Sequence, residues 1–188
     1  RPKGITFEPS ESGPDHGTFI AYPFERGYGT TIGNSLRRVL LSSIPGCAVT
    51  AVRITVYDTE GNQRFLSSEY ESIPGVMEDT PDILNKLKRL QIKLPEDVDQ
   101  KVLFIELKGA QTVTAASFAV EGVEITNPDL PVMTLMKDGW LDVELQIDLN
   151  RGYVPAELNE QYIEEVGTIP LDAVYSPIRR VKYAIENT

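Results

Sequence analysis

The chain has few of the residues that most often carry chemistry. It has one cysteine, Cys47, and one histidine, His16, among 188 residues, so it can form no internal disulfide and assemble no His/Cys zinc cluster. His16 falls in the turn-like stretch Ser10–His16 and reads as a solvated loop residue. Cys47 has no second histidine to activate it and reads as a small packed side chain in a reducing compartment. Positive charge is also short: 18 lysines and arginines face 28 acidic residues, for a net charge of −10. Such a chain is repelled by nucleic-acid phosphates, so any role near DNA is expected to be indirect. No apolar run reaches the length that spans a bilayer, and the N-terminus lacks a signal-peptide pattern. The expectation is a soluble, cytoplasmic protein without membrane contact. Carboxylates are abundant, notably Glu78-Asp79, Glu96-Asp97 and Glu164-Glu165. No pair is spaced to aim both groups at one substrate, and no serine sits in a nucleophile-elbow pattern. Neither catalytic residue, metal site nor cofactor is expected.

What the chain does have is length and apolar content enough for a substantial core, in one domain or two small ones. Its most informative stretch is Glu25–Cys47, a glycine-rich run feeding an amphipathic helix with two adjacent arginines. Gly27, Gly29 and Gly33 permit unusual backbone conformations, Thr30 or Thr31 can cap a helix, and Pro45-Gly46 can end it. The spacing predicts a helix from about Ile32 to Ser43. Wound at 3.6 residues per turn, Ile32, Leu36, Val39, Leu40 and Ser43 share one face, read as a buried stripe, with Arg37 on its flank. Arg38 and Leu41 fall on the far side: either a partner surface or a solvated arginine beside a scattered leucine. The glycines also invite a nucleotide-binding reading, because helix N-termini hold phosphate. Neither standard fingerprint fits, and the phosphate-binding lysine is missing at Gly33-Asn34-Ser35.

Elsewhere Thr18–Tyr22 reads as a strand, as do Val52, Ile54 and Val56 alternating with polar neighbours. Asp58–Asn62 has turn chemistry. Thr80-Pro81 predicts a helix start, Thr80 being the cap candidate, with Ile83, Leu84, Leu87 and Leu90 on its apolar face. Lys86, Lys88 and Arg89 lie off that face, as either a solvated helix surface or a binding face. Strands are predicted over Val102–Leu107, Val113–Val120 and Trp140–Leu149, the last a sheet strand with one wet face. Glu157–Thr168 reads as an acidic surface crossover, and Val181, Tyr183 and Ile185 as a last strand. The class is α+β.

The run from Glu25 to Cys47 closely resembles a segment of the bacterial RNA polymerase α subunit. Four further matches follow in that family's order: Gly75–Asp79, Val113–Ala116, Arg151–Ala156 and Asp172–Pro177. The resemblance implies a discontinuous dimerisation domain of sheet plus helices, residues 1–50 with 172–188, and an inserted, mainly β domain over 51–171. It implies a non-catalytic scaffold that forms a homodimer and recruits the β and β′ subunits, so that the chain belongs to an enzyme only as part of the polymerase. A stand-alone adaptor, or a nucleotide-binding protein using the Gly27/Gly29/Gly33 loop, is the alternative. By resemblance the β contact is Arg37, Arg38 and Leu41; the β′ contact is Lys88, Leu171, Ser176, Pro177, Arg179 and Arg180; and the dimer face is Ile32, Leu36, Val39 and Leu40. The family's second dimer helix and its C-terminal DNA-binding domain find no match before Thr188. The resemblance therefore implies a weakened dimer and no direct DNA contact.

Overall fold

The computed structural model describes residues 3–160, 163 and 165–187. The Glu164 half of one acidic pair and part of the 157–168 crossover therefore lie outside the described residues. Two compact units are present: residues up to Leu41 together with those from Ile178 form one, and Ser42–Pro177 form the other.

The first unit contains strands β1 (Gly4–Pro9) and β2 (Gly17–Tyr22), helix α1 (Tyr28–Ser42) and the extended C-terminal segment. β1 and β2 form an antiparallel hairpin in which Phe7 pairs with Phe19, ring centroids 5.0 Å apart. β1 was not expected from sequence, although Ile5 and Phe7 alternate with Thr6 and Glu8. α1 begins four residues earlier than predicted, so Thr30 and Thr31 are helical residues and cannot be its cap. Residues 178–187 form no strand. Their alternation has another origin, described below.

The second unit is a β structure with one main core. Its strands are β3 (Pro45–Tyr57), β4 (Gln63–Phe65), β5 (Ile92–Lys93), β6 (Gln100–Lys108), β7 (Gln111–Thr114), β8 (Glu124–Ile125), β9 (Pro131–Leu135), β10 (Trp140–Arg151), β11 (Tyr153–Val154), β12 (Thr168–Pro170) and β13 (Ala173–Val174). Helices α2 (Thr80–Leu87) and α3 (Ala156–Glu160) connect them. The central sheet runs β12-β3-β10-β6, with β4 also on β3, all antiparallel. Leu141, Val143, Leu145 and Ile147 of β10 are buried beside Val52, Ile54 and Val56 of β3 and Leu103, Ile105 and Leu107 of β6. The alternation read from sequence is thus the pleat of a sheet with one buried face.

Ile83, Leu84 and Leu87 of α2, with Leu90 just after it, close the core as expected. Thr80 is not the cap: Asp79 occupies that position without a side-chain bond, while Thr80 is buried and donates its hydroxyl to the Glu71 carbonyl. The predicted strand 113–120 stops at Thr114 and becomes a turn of 3-10 helix, Ala115–Phe118, which drops Phe118 into the core. Asp58 accepts the Glu60 and Asn62 amides at 2.9 Å, making the expected turn.

Candidate assembly surface

The glycines of α1 serve packing. Gly27 precedes the helix at φ +91°, where only glycine is comfortable, but Gly29 and Gly33 lie inside it. A Cβ on Gly33 would stand 2.7 Å from Cδ2 of Tyr183, and one on Gly29 3.6 Å from Ile185. One turn further along, Arg37 donates its Nε hydrogen to the Val181 carbonyl at 3.2 Å. Each step of four residues back along the helix, about 6 Å, therefore matches two residues forward along an extended chain, about 6.6 Å. The alternation of Val181, Tyr183 and Ile185 records an extended segment lying against this helix rather than a strand in a ladder. The same packing removes the phosphate-loop geometry, because two of the three glycines are covered within the helix.

With that flank occupied, the rest of the apolar face is open. No side chain of α1 is buried, and Leu36 and Val39 are 46% and 53% exposed. Ile32 and Leu40 are half-buried, and Tyr28 and Ser43 are exposed. The stripe expected to be buried is thus only partly covered by the described residues. Leu41, expected to be exposed, is half-buried, while Arg38 is exposed. Across the whole first unit, no described side chain is buried. The hairpin adds exposed Ile5, Phe7, Phe19 and Tyr22.

The residues expected to meet β′ are divided between the units. Arg179 and Arg180 belong to the first and are exposed. In the second, Lys88 caps the C-terminus of α2 and pairs with Asp172 at 3.1 Å. Leu171 is buried; its amide donates to the Thr50 carbonyl at 2.9 Å and its carbonyl accepts from Asn159 at 2.8 Å. Ser176 is half-buried and Pro177 exposed. The lysine–aspartate pair was not foreseen. Nor was Lys182, which joins Arg179 and Arg180 to make three cations in four residues.

The other sequence signatures are joints of the second unit. Tyr175 donates its amide to Gly152 at 2.9 Å, and β11 pairs with β13, tying Arg151–Ala156 to Asp172–Pro177. A Cβ on Gly46 would stand 2.0 Å from the Tyr175 carbonyl oxygen. Burial, with Asp148 nearby, pushes the Tyr175 phenol up to about 12. Gly75 has φ +75° and its Cβ would meet the Gly139 backbone at 2.4 Å, while Glu78 accepts both the amide and hydroxyl of Thr134. Cys47 is half-buried, and desolvation raises its thiol above the ordinary range. That holds it as a thiol at neutral pH.

Two comparisons bear on this arrangement. Residues 52–176 match the family described as the RNA polymerase Rpb3/RpoA insert domain. The whole chain is 47% identical to the DNA-directed RNA polymerase subunit alpha of Treponema pallidum (strain Nichols), covering 54% of that protein. It is 45% identical to the corresponding subunit of Borrelia garinii, covering 55%. To that of Leptospira biflexa it is 48% identical, again over the whole chain, covering 56%. The chain spans about half the length of the curated relatives it matches.

Proposed function

This chain belongs to the RNA polymerase Rpb3/RpoA insert-domain family, and on that premise we propose that it is a non-catalytic assembly subunit of a bacterial RNA polymerase, working in the cytoplasm. The observation that carries the reading is the uncovered apolar face of α1 in a unit that buries none of its described side chains. A second copy of the chain covers that face, through Ile32, Leu36, Val39 and Leu40. About half of Leu36 and Val39 remains to be buried, worth about 1 kcal/mol each, and a two-fold axis counts each contact twice.

The β subunit is gathered through Arg37, Arg38 and Leu41, at and beyond the edge of that face. The β′ subunit is gathered through Arg179 and Arg180 in the first unit and the surface around Lys88, Ser176 and Pro177 in the second. Leu171, being buried, supports this surface from beneath. Nucleotide chemistry is left to the large subunits. The core enzyme is therefore built by binding, with sequence contacts to DNA made elsewhere.

Co-expression of tagged and untagged copies of the chain with β and β′ tests the proposal. The tagged copy should bring down the untagged copy and both large subunits. Val39→Glu should lose the untagged copy, and Arg38→Ala should lose β, with the far-UV circular dichroism of each variant unchanged. Recovery of all four chains with both variants would overturn the assignment of these surfaces.

A further inference from the structure

Charge is divided unevenly between the two units. The first carries eight basic and five acidic residues, the second ten basic and 23 acidic. Within the first, Arg37, Arg179, Arg180 and Lys182 converge with Leu41 and Tyr183 around an open hollow of about 470 Å³. Among the described residues none of these four cations has a carboxylate within ion-pair distance. Arg37 commits its Nε hydrogen to Val181, which fixes it at the rim.

We infer that this hollow receives an acidic segment of β′, one in which carboxylates alternate with apolar side chains, with Arg37 and Leu41 forming the wall where the β′ surface adjoins the β contact. The inference rests on the assembly reading above and adds the chemistry of what docks. Three arginines favour carboxylate recognition, since the planar guanidinium can hold both carboxylate oxygens at once. Leu41 and Tyr183 supply an apolar floor that a bare anion would leave unused. A long polyanion such as nucleic acid is disfavoured by the net charge of −10. A short acidic segment is not, because at physiological salt it senses only charges within about 8 Å.

Fluorescence anisotropy of the full chain with a labelled short peptide of alternating glutamate and leucine tests the hollow directly. Binding should weaken by about tenfold in Arg179→Glu/Arg180→Glu/Lys182→Glu, the loss expected from three exposed ion pairs. The neutral Arg179→Gln/Arg180→Gln/Lys182→Gln chain should fall between. Lys93→Glu/Lys101→Glu/Lys137→Glu, an equal charge change in the other unit, should bind like the unmodified chain. No binding by the unmodified chain, equal loss in the second-unit control, or tighter binding of a single-stranded oligonucleotide of equal charge would each overturn the inference. Assembly with β and β′ separates it from the reading it rests on. If the unmodified chain captures both large subunits and the charge-reversed chain does so equally, the hollow is refuted and the scaffold stands. If the unmodified chain captures neither, the scaffold reading fails and the peptide result alone decides the chemistry of the hollow.

Discussion

Replacing the two helical glycines of α1 by alanine should move stability in opposite directions. In a helix interior alanine is favoured over glycine by about 0.8–1 kcal/mol. At Gly29 the new methyl would stand 3.6 Å from Ile185, an ordinary contact, so Gly29→Ala should keep part of that gain, reduced because the position lies in the first turn. At Gly33 the methyl would stand 2.7 Å from Cδ2 and 3.0 Å from Cγ of Tyr183. The clash falls near the base of the ring, where bond rotation gives little relief, and overpacking of this kind costs about 1–3 kcal/mol. The propensity gain offsets only part, leaving Gly33→Ala destabilised by up to about 2 kcal/mol, or about 4–8 °C of melting temperature per kcal/mol in a small unit. Far-UV circular dichroism of the full chain is the assay, because the 15 residues of α1 outnumber the eight of α2 and five of α3. Trp140, on β10 in the other unit and stacked on Tyr57 at 4.5 Å, gives an independent fluorescence transition that should not move. In a Tyr183→Ala background, Gly33→Ala should become stabilising. If Gly33→Ala instead raised the melting temperature as Gly29→Ala does, the pairing of Gly29, Gly33 and Arg37 with Ile185, Tyr183 and Val181 would be refuted.

Gly46→Ala should be the most damaging glycine substitution in the second unit, because its methyl meets the backbone carbonyl of Tyr175 at 2.0 Å. A cost of about 3 kcal/mol or more should lower the Trp140 transition by at least about 6 °C; an unchanged transition would mean that the two backbones are further apart. Glu71, held down to about 2 from the usual 4.5 by the Ser67 hydroxyl and amide and by Arg64, contributes stability that is complete above about 4.5 and fades as pH falls toward 2. Glu71→Gln should therefore flatten the acid limb of a stability–pH profile, and an unaltered limb would rule Glu71 out as its source. Lys88→Met should impair recruitment of β′ to a preassembled complex with β, whereas Asp172→Asn should spare it, since this half-buried pair, still open to solvent, is worth about 1 kcal/mol to the fold. Equal loss in both variants would make the pair, not the lysine, the element that matters.

How much was legible depended on whether a pattern has one physical cause or several. The alternation of β3 and β10 has one cause, a sheet with a buried face, and those strands, the turn at Asp58–Asn62 between β3 and β4, and the apolar face of α2 were read correctly. The alternation of Val181, Tyr183 and Ile185 has two. A period of two identifies extended backbone facing a surface on alternate residues, but the surface can be a strand edge or the groove of a helix, and here it is α1. Glycine is ambiguous in the same way. Gly27 needs its positive φ, whereas Gly29 and Gly33 need only the absence of a Cβ, so two of the three glycines of that run sit within the helix. Thr80 looked like a cap because it precedes a proline, yet its hydroxyl is used on the far side by the Glu71 carbonyl.

The candidate surface was legible as composition and not as role, for a reason that lies in the free energy itself. Of the segments that gave the family resemblance, Glu25–Cys47, Gly75–Asp79, Val113–Ala116, Arg151–Ala156 and Asp172–Pro177, several hold positions where backbone meets backbone, as Gly46 does at Tyr175 and Gly75 at Gly139. Such positions tolerate few residue types, so they are distinctive. The incompletely covered side chains of the α1 stripe are ordinary leucine, isoleucine and valine. Burying them against a second chain yields the same gain per unit area as burying them against the chain's own core, and the helical period that achieves either is identical. Ile32, Leu36, Val39 and Leu40 therefore form one stripe whether it faces inward or outward. What separates the two cases is whether the rest of the chain supplies a cover. In the first unit the extended segment covers only the flank defined by Gly29, Gly33 and Arg37, and among the described residues the stripe beside it keeps Leu36 and Val39 about half exposed.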